Sequence, residues 1–395
     1  MKNLWTLYRY EIKKLVRRPL PWVLIILLTA ASLYVSFNDS MGMKVFALPD
    51  GENFCFEEVP YREWAIRSHN SGVSLNGKRI DDTFFKEMGA ALPDMNDEEI
   101  KFWCFENNSA YGSFFEYMGG FNTMPRNLSL SDYYSIRREL MDGQWDFEGL
   151  TDGEKAYWSE KADHLLQPLV YQEPWPGAFS LFEGMLQLLI LFPVAAAVFL
   201  CPSFSDDKSK RMDSLILASK KSRLPLYLTK SFAGLTVAIL AGAIIIGGYL
   251  AGAFSVWGMD GLNAPFQMIE LAFTGSSSIG GLILYLSFLL ILFTVVCGAI
   301  TMLVSLLTRN TAAALIMPIV CLFFVLRMRP KVTRLTILLP QYMIGMRGIR
   351  NDWLNGAFGI YLDGFQMFLL LCVGLILFLS ILGWLGWRQK ATNGK

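Results

Sequence analysis

Gly72 to Arg79, GVSLNGKR, is the stretch nearest to a known catalytic pattern, the phosphate-binding loop G-x-x-x-x-G-K-[ST]. In that loop the backbone amides cradle phosphates, and a hydroxyl after the lysine binds Mg²⁺. Arg79 takes the place of this hydroxyl, and no apolar strand precedes Gly72. The stretch therefore does not predict nucleotide binding by this chain.

Other catalytic sets are missing from the sequence. It has only two histidines, His69 and His164, which excludes a histidine zinc site or a His-dependent triad within an apolar segment. None of the six cysteines has C-x-x-C spacing. We expect no catalytic, metal or cofactor site, and an intramembrane enzyme is the least favoured class.

Glu183 is an ionisable residue inside an apolar segment, and Gln187 follows it at helical spacing. An ionisable group within a membrane span is by default a candidate functional site. Glu183 and Gln187 are therefore candidates for a substrate path. The alternative, that Glu183 lies at the level of the outer head groups, stays open.

The charged stretch from Ser203 to Lys230 separates two long apolar segments and carries seven Lys or Arg residues. An acidic pair is followed by a basic run, a short apolar helix, a Ser-Arg pair and finally Lys230, which leads into the next apolar segment. The short helix is predicted around Met212, Leu215 and Ile216. Because Lys and Arg concentrate in cytoplasmic loops, we expect this loop in the cytoplasm.

Composition predicts a membrane protein. Of the 395 residues, 53% are hydrophobic and 17% are charged, and the mean hydropathy is +0.36, which is too apolar for a soluble enzyme of this length. Residues 38–177 hold 25 of the 34 acidic residues and 12 of the 35 basic ones, so their formal charge is −13, against +14 for the rest. This asymmetry predicts that the acidic block lies outside the cell.

The predicted fold is an α-helical integral membrane protein with about six transmembrane helices and both termini in the cytoplasm. Residues 1–18 are expected to form an amphipathic helix at the membrane surface. We expect it to lead into an uncleaved span, because a leader of this length containing Glu11 is unlike a signal peptide. The divisions that follow are span 1 at 19–37, an extracytoplasmic domain at 38–177, span 2 at 178–202, the loop at 203–230, spans 3–6 at 231–387 and a cytoplasmic tail at 388–395.

Residues 38–177 are long enough to fold around one core in water. Helix-start signals such as the capping-box spacing of Thr151 and Glu154 predict a mainly helical α+β domain. Asn76-Gly77 predicts a small hairpin over residues 73–80. Cys55 and Cys104 are the two cysteines of this block, and the sequence leaves open whether they form a disulfide.

Residues 327–363 are hard to place. The six-span topology puts them outside, although they carry six basic and two acidic residues. The fifth span, at about 312–326, is shorter than the roughly 20 residues that normally cross a bilayer. A re-entrant arrangement around Pro340 is the alternative, so the topology of residues 312–363 stays open.

The order of these elements resembles the permeases of ABC-2-type transporters over almost the whole chain. Its residue support lies in the loop, at the residues listed here: Asp206 or Asp207 for the family's acid, Leu215 and Leu217 for its apolar helix, the Ser222-Arg223 pair, and Lys230. The loop departs from the family where Arg211-Met212 replaces Gly-Thr and Lys220 replaces Pro. The resemblance implies a permease dimer that works with two separate ATPase subunits.

The predicted function is therefore the permease subunit of an ATP-driven ABC exporter in the plasma membrane. It is expected to contact the lipid bilayer but no nucleic acid, and ATP would be used by the partner. The residues expected to couple it to the ATPase are Asp207, Met212, Leu215, Ile216, Arg223 and Lys230. The alternative is a membrane sensor or immunity protein whose external domain binds a peptide or envelope lipid without net transport. The substrate, and the choice between homodimer and heterodimer, stay open.

Overall fold

The computed structural model describes residues 2–38, 40–50, 53–94, 97–117, 128–163, 169–209, 223–328, 330–357 and 360–393. Its first half contains α1 Lys2–Val16, α2 Pro19–Asn38, β1 Met43–Asp50, β2 Asn53–Pro60, α3 Tyr61–Gly72, α4 Asp82–Ala91, α5 Asp97–Glu106, α6 Ala110–Tyr117, α7 Leu130–Glu148 and α8 Asp152–Asp163. Its second half contains α9 Ala178–Leu188, α10 Leu191–Leu200, α11 Pro202–Ser209, α12 Arg223–Trp257, α13 Ile279–Thr308, α14 Thr311–Arg327, α15 Pro340–Met343, α16 Met346–Ile349, β3 Asn355–Ala357, β4 Ile360–Leu362 and α17 Gly364–Asn393. The chain is mostly helical.

Four helices are long and apolar enough to cross a membrane, namely α2, α12, α13 and α17. A fifth candidate span combines α9 and α10, which meet at a bend of 42°. Helix α14 is apolar but has 17 residues, fewer than the others. The described residues thus form an α-helical multi-pass membrane protein with four or five candidate spans, and the predicted count of six depends on α14.

The bend between α9 and α10 lies where Pro193 predicts a kink. Pro193 is the third residue of α10, and it has no N–H to donate to the carbonyl of Leu189. Its ring also disfavours a straight helix over the preceding turn. The break at Leu189–Ile190 therefore follows from Pro193.

The small residues of α12 bring it close to α13, as their spacing predicts. A methyl group added at Gly234 would collide with Met302, and one at Gly242 would lie 2.8 Å from Oγ1 of Thr294. A larger residue at Gly242 would push the two helices apart, because the added group also lies 3.2 Å from Cβ of Thr294, whereas at Gly234 the flexible end of Met302 would have to move. This pair forms the centre of the apolar bundle.

The acidic 38–177 domain opens with an antiparallel hairpin in which Met43 of β1 pairs with Pro60 of β2. Helices α3 to α8 follow. Its main core consists of packed aromatic rings, among them Phe84, Phe114 and Tyr133. The aromatic residues of this domain therefore serve mainly to hold its helices together.

The hairpin predicted over residues 73–80 is wrong. A 3₁₀ turn covers Val73–Leu75, and Gly77 supplies a turn with a φ of +84°. The chain then pairs with distant residues, since Tyr171 N donates to Lys78 O at 2.8 Å and Ile80 N donates to Leu169 O at 2.9 Å. Ile80 and Tyr171 are fully buried, so burial in the aromatic core outweighs the local turn signal.

Cys55 and Cys104 are both free. Cys55 is exposed on β2, opposite Leu48, whereas Cys104 is buried in α5. Cys55 and Cys104 therefore do not form a disulfide with each other in this structure.

The apolar helices run between two ends of the bundle. At the domain end, the 38–177 domain contacts the connection that follows α12, where Trp175 Nε1 donates to Gly258 O at 3.0 Å. At the loop end, Phe204 packs against Tyr227 and Trp387. These contacts gather α11, α12 and α17 at the loop end, near the boundaries of the charged loop.

Candidate functional site

The three apolar residues of the predicted coupling helix, Met212, Leu215 and Ile216, lie in the stretch 210–222, outside the described residues. Asp207 lies in α11 and Arg223 begins α12, but the description does not extend to their side chains. The coupling role of these residues stays a prediction.

Lys230 lies about two turns inside the described part of α12, which begins at Arg223. Pro225 is compatible with a helix here, because a proline is tolerated in the first helical turn. The stretch from Arg223 to Lys230, at the end of the charged loop, is therefore helical and continuous with α12.

Lys230 is buried and forms an ion pair with the N-terminal helix. Its Nζ lies 3.3 Å from Oε2 of Glu11 on α1, and it also donates to the carbonyl oxygen of Ser203 at 3.2 Å. Its exposed fraction is 2%, and that of Glu11 is 6%. A buried charge with these partners fixes α1, α11 and α12 relative to one another.

A second ion pair joins the same N-terminal segment to the other end of the loop. Arg18, just before α2, donates to Oδ2 of the buried Asp206 in α11. Asp206 is one of the two residues expected to supply the acid of the loop. The two anchor pairs, Glu11–Lys230 and Arg18–Asp206, thus hold both ends of the charged loop against α1 and its junction with α2.

Hydroxyl groups fix α11 to the helix hairpin formed by α13 and α14. The backbone N–H of Ser205 donates to Oγ of Ser305 at 3.1 Å, and Ser305 Oγ donates to Cys201 O at 2.7 Å. Oγ of Ser205 lies 2.8 Å from Oγ1 of Thr311. The end of α13 and the start of α14 are therefore both connected to the first part of the loop.

The two candidates for a substrate path lie on one exposed face of α9. Gln187 lines a cavity of 750 Å³ between the α9–α10 bend, the end of α14 and residues 330–347. Glu183, one turn closer to the domain end, is not among the described residues that line it. The structure thus associates Gln187, and not Glu183, with a cavity.

The basic segment 327–363 is held against the acidic domain. Both terminal nitrogens of Arg334 donate to the carboxylate of Glu154 in α8, at 2.9 and 2.7 Å. The backbone N–H of Leu354 donates to the same carboxylate at 3.0 Å. Arg350 forms an ion pair with Glu270. The acids that balance these two arginines therefore lie at the domain end, which explains how a basic segment can lie beside the acidic block.

Asp352 is the centre of this contact. Its Oδ2 accepts from Trp145 Nε1 at 2.8 Å, its Oδ1 accepts from Thr274 at 3.1 Å, and its carbonyl oxygen accepts from Trp158 Nε1 at 2.5 Å. Burial raises the pKa of Asp352 to about 6, although the hydrogen bonds from Trp145 and Thr274 lower it. Burial, with the nearby charge of Asp352, also raises the pKa of Glu148 to about 7. Two carboxyl groups that protonate near neutral pH thus meet at this contact.

Sequence reasoning did not find the two anchor pairs as pairs. The one available signal was Glu11, an acidic residue within an otherwise basic helix. No group of three or more His, Cys, Asp or Glu side chains in the described ranges has an arrangement able to hold a metal ion. The described contacts at the loop end join helices to one another.

A family model described as "ABC-2 family transporter protein" matches residues 5–382, from within α1 to within α17. A search of curated proteins finds no match.

Proposed function

This chain belongs to the ABC-2 family of transporter proteins, and we propose that it is the permease subunit of an ATP-driven exporter. Membership makes it a membrane component of an ABC transporter and implies a partner ABC ATPase. The exporter role, the coupling site and a dimer with a second permease, identical or paralogous, belong to the proposal. ATP would be bound and hydrolysed by the partner.

The observation that carries the coupling proposal is the pair of anchors at the loop end. Arg18–Asp206 lies at the first end of the loop and Glu11–Lys230 at the second. A force applied to a loop held at both ends reaches α10 and α12 directly, because neither end can slide freely past α1. Loop residues 210–222 are then the part available to a partner, with Leu215 as the central apolar contact.

The proposed orientation places the loop end in the cytoplasm and the 38–177 domain outside. The charge asymmetry of the sequence supports this orientation. The contacts of Arg334, Arg350 and Asp352 at the domain end also support it, because they put residues 330–363 on the same side as the domain. In the proposed topology α14 crosses the membrane, so that the chain has six spans and both termini lie in the cytoplasm.

The test is co-purification of the chain with its ATPase, followed by ATP-dependent transport in vesicles. Burial of Leu215 in a partner would contribute about 1.5 to 3 kcal/mol to docking, whereas an exposed ion pair at Arg223 would contribute at most about 1 kcal/mol. We therefore expect Leu215→Asp to separate the two subunits and Arg223→Ala to weaken transport less. Leu335→Asp makes the same change at an exposed leucine of the domain end, and it should leave the complex intact.

Full ATPase binding and transport by the Leu215→Asp protein would remove the coupling role of the loop. An ATPase that binds while no solute moves under any condition would favour the sensor alternative over the exporter.

A further inference from the structure

The cavity that contains Gln187 combines an apolar wall with a cluster of bases. Its apolar side consists of Leu186, Leu189, Ile190, Phe323, Leu326 and Val332. Arg327, Lys331 and Arg347 line it as well, together with the amides of Gln187 and Gln341 and the ring of Tyr342. No carboxylate is found among its described lining residues. A volume of 750 Å³ is within the range of ligand sites.

The three bases differ from their neighbours in having no acidic partner. Arg334 and Arg350, in the same segment, are each paired with a glutamate. Neither Arg327, Lys331 nor Arg347 forms an ion pair with any described residue, and all three are exposed. Arg347 lies over the ring of Tyr342, and its charge acts on Glu148, whose pKa it lowers, without forming an ion pair with it. The described lining of the cavity thus carries a positive charge that no lining carboxylate balances.

A larger cavity of 1220 Å³, between α2, α3 and α12, does not have this property. It is lined by Arg62 and Arg67, but also by Glu63. Arg67 donates to Glu63 at 3.0 Å, and Arg62 donates to Val256 O at 3.1 Å. Both arginines are occupied, so this larger space offers no comparable site for an anion.

The depth of the basic cavity matches the boundary of a bilayer. Helix α14 starts at the loop end and reaches Arg327 after 17 residues, a rise of about 25 Å, while the hydrocarbon core is about 30 Å thick. The bases therefore lie where acyl chains meet phosphates, and the apolar wall continues toward the membrane interior. An amphiphile with one anionic end fits both parts.

We propose that this cavity binds an anionic phospholipid, with its phosphate at Arg327, Lys331 and Arg347 and an acyl chain along the α9–α10 bend and the end of α14. Arginine side chains bind phosphate through paired hydrogen bonds, and Gln187 offers a further donor. Gln341 Nε2 is already engaged, since it donates to Val325 O and Met328 O. The inference rests on the membrane orientation proposed above, and it does not depend on coupling to an ATPase. It assigns Gln187 to lipid binding.

The test measures binding of phosphatidylglycerol to the purified full-length protein in neutral detergent, with bound lipid counted by native mass spectrometry. We expect saturable binding of one lipid per chain, and about a hundredfold weaker binding when Arg327, Lys331 and Arg347 are all replaced by Gln, because each base near an anionic lipid contributes about 1 kcal/mol. A control in which Lys78, Lys86 and Arg138 are replaced by Gln removes the same charge from exposed positions of the domain. It should bind as the unmodified protein does.

Two further probes identify the ligand. Phosphatidylcholine carries a phosphate but no net charge and should bind far more weakly, while inorganic phosphate should fail to displace phosphatidylglycerol at equal concentration. Unchanged binding by the triple variant, equal binding of phosphatidylcholine, or displacement by inorganic phosphate alone would each overturn the proposal.

Because the three replaced side chains are exposed, the triple variant should keep its thermal stability. Variants Arg327→Lys and Arg347→Lys retain the charge and should retain most of the affinity. Absence of saturable phosphatidylglycerol binding by the unmodified protein, with an intact ATPase complex, would reject this inference without affecting the proposed function.

Discussion

Lys230 Nζ lies 3.3 Å from Glu11 Oε2, so a buried ion pair connects the apolar helix α12 to the amphipathic helix α1 at the N-terminus. The same ammonium group donates to Ser203 O, at the opposite end of the charged loop. Lys14 lies near Glu11 as well, at 3.9 Å. Helix α1 is therefore an integral part of the loop end, and its charge does more than attract it to the membrane surface.

Removing one partner of this pair should destabilise the protein more than removing both. Lys230→Met leaves Glu11 buried without its main partner, which typically costs about 3 to 5 kcal/mol. The double variant Lys230→Met/Glu11→Leu replaces the pair by apolar groups and should recover most of that loss. Thermal unfolding in detergent measures the difference, with Lys13→Met at an exposed position of α1 as the control. Additive losses in the double variant would show that the two residues do not interact.

The contact around Asp352 should weaken as the pH rises. The folded-state pKa values of about 6 for Asp352 and about 7 for Glu148 lie above their ordinary values of 3.8 and 4.5. The folded protein thus binds these protons more tightly, so the associated stability is full below the ordinary values and is lost as pH rises through about 6 to 7.

Thermal unfolding compared at about pH 5 and about pH 8 measures this loss. Glu148→Gln should reduce the difference, because it removes one of the two titrating groups. Asp142→Asn on the exposed side of α7 serves as the control. An unchanged pH dependence in the Glu148→Gln protein would contradict the assignment.

Glu154 should matter more to the domain end than its partner Arg334. Burial raises the pKa of Glu154, but hydrogen bonds from Arg334, Thr151 and Leu354 lower it by more and hold it below its usual range. Glu154→Gln disturbs all three contacts, and a hydrogen bond to a charged group contributes about 1.5 to 3 kcal/mol. Arg334→Gln disturbs one contact and leaves its exposed side chain in water. Protease sensitivity of segment 330–357 should therefore rise more in the Glu154→Gln protein than in the Arg334→Gln protein. Glu160→Gln on α8 should have no effect. Equal sensitivity in both variants would argue against this ranking.

The sequence was a good guide to elements that depend on local patterns. The fifth apolar run, at about 312–326, predicted α14 closely, and Thr151 and Glu154 form the predicted capping contacts, with Thr151 N donating to Glu154 Oε2 at 2.8 Å. Pro193 accounts for the bend in span 2. In each case a physical cause acts within a few residues.

Contacts between distant residues could not be predicted in the same way. Glu11 and Lys230 are 219 positions apart, and Arg18 and Asp206 are 188 apart. The position of a charged residue in the sequence does not predict which oppositely charged residue it will contact after the helices have packed. The hairpin expected at Asn76-Gly77 failed for a related reason, because the buried Tyr171 provides a distant strand partner. The unpaired bases around Gln187 likewise become a cluster only when α14 and residues 330–347 fold together.

The proposed topology predicts which positions react with a membrane-impermeant thiol reagent. In a cysteine-free background, cysteines at Ser131 and Arg347 should label from outside, and cysteines at Lys208 and Thr392 only after the membrane is opened. Lys208 is preferred to Ser205 because Ser205 is buried. Labelling of position 347 only from inside would exclude six spans, since α14 would then not cross.

The final prediction concerns the second anchor pair, Arg18–Asp206, and the transmission of motion. Asp206 is buried in α11 while Arg18 precedes α2, so the pair connects the start of the loop to the first span. If α1 and its junction transmit force, Arg18→Asp should leave ATPase binding intact but uncouple ATP hydrolysis from transport. The reciprocal exchange Arg18→Asp/Asp206→Arg restores opposite charges at the same place and should recover part of the coupling. Arg17→Asp, at an exposed neighbouring position, makes the same charge change without an anchor and should preserve transport. If the Arg18→Asp protein keeps the normal ratio of transport to ATP hydrolysis, the anchor is only structural. If Arg18→Asp and Arg17→Asp both abolish transport, the cause is a general effect of charge on membrane insertion.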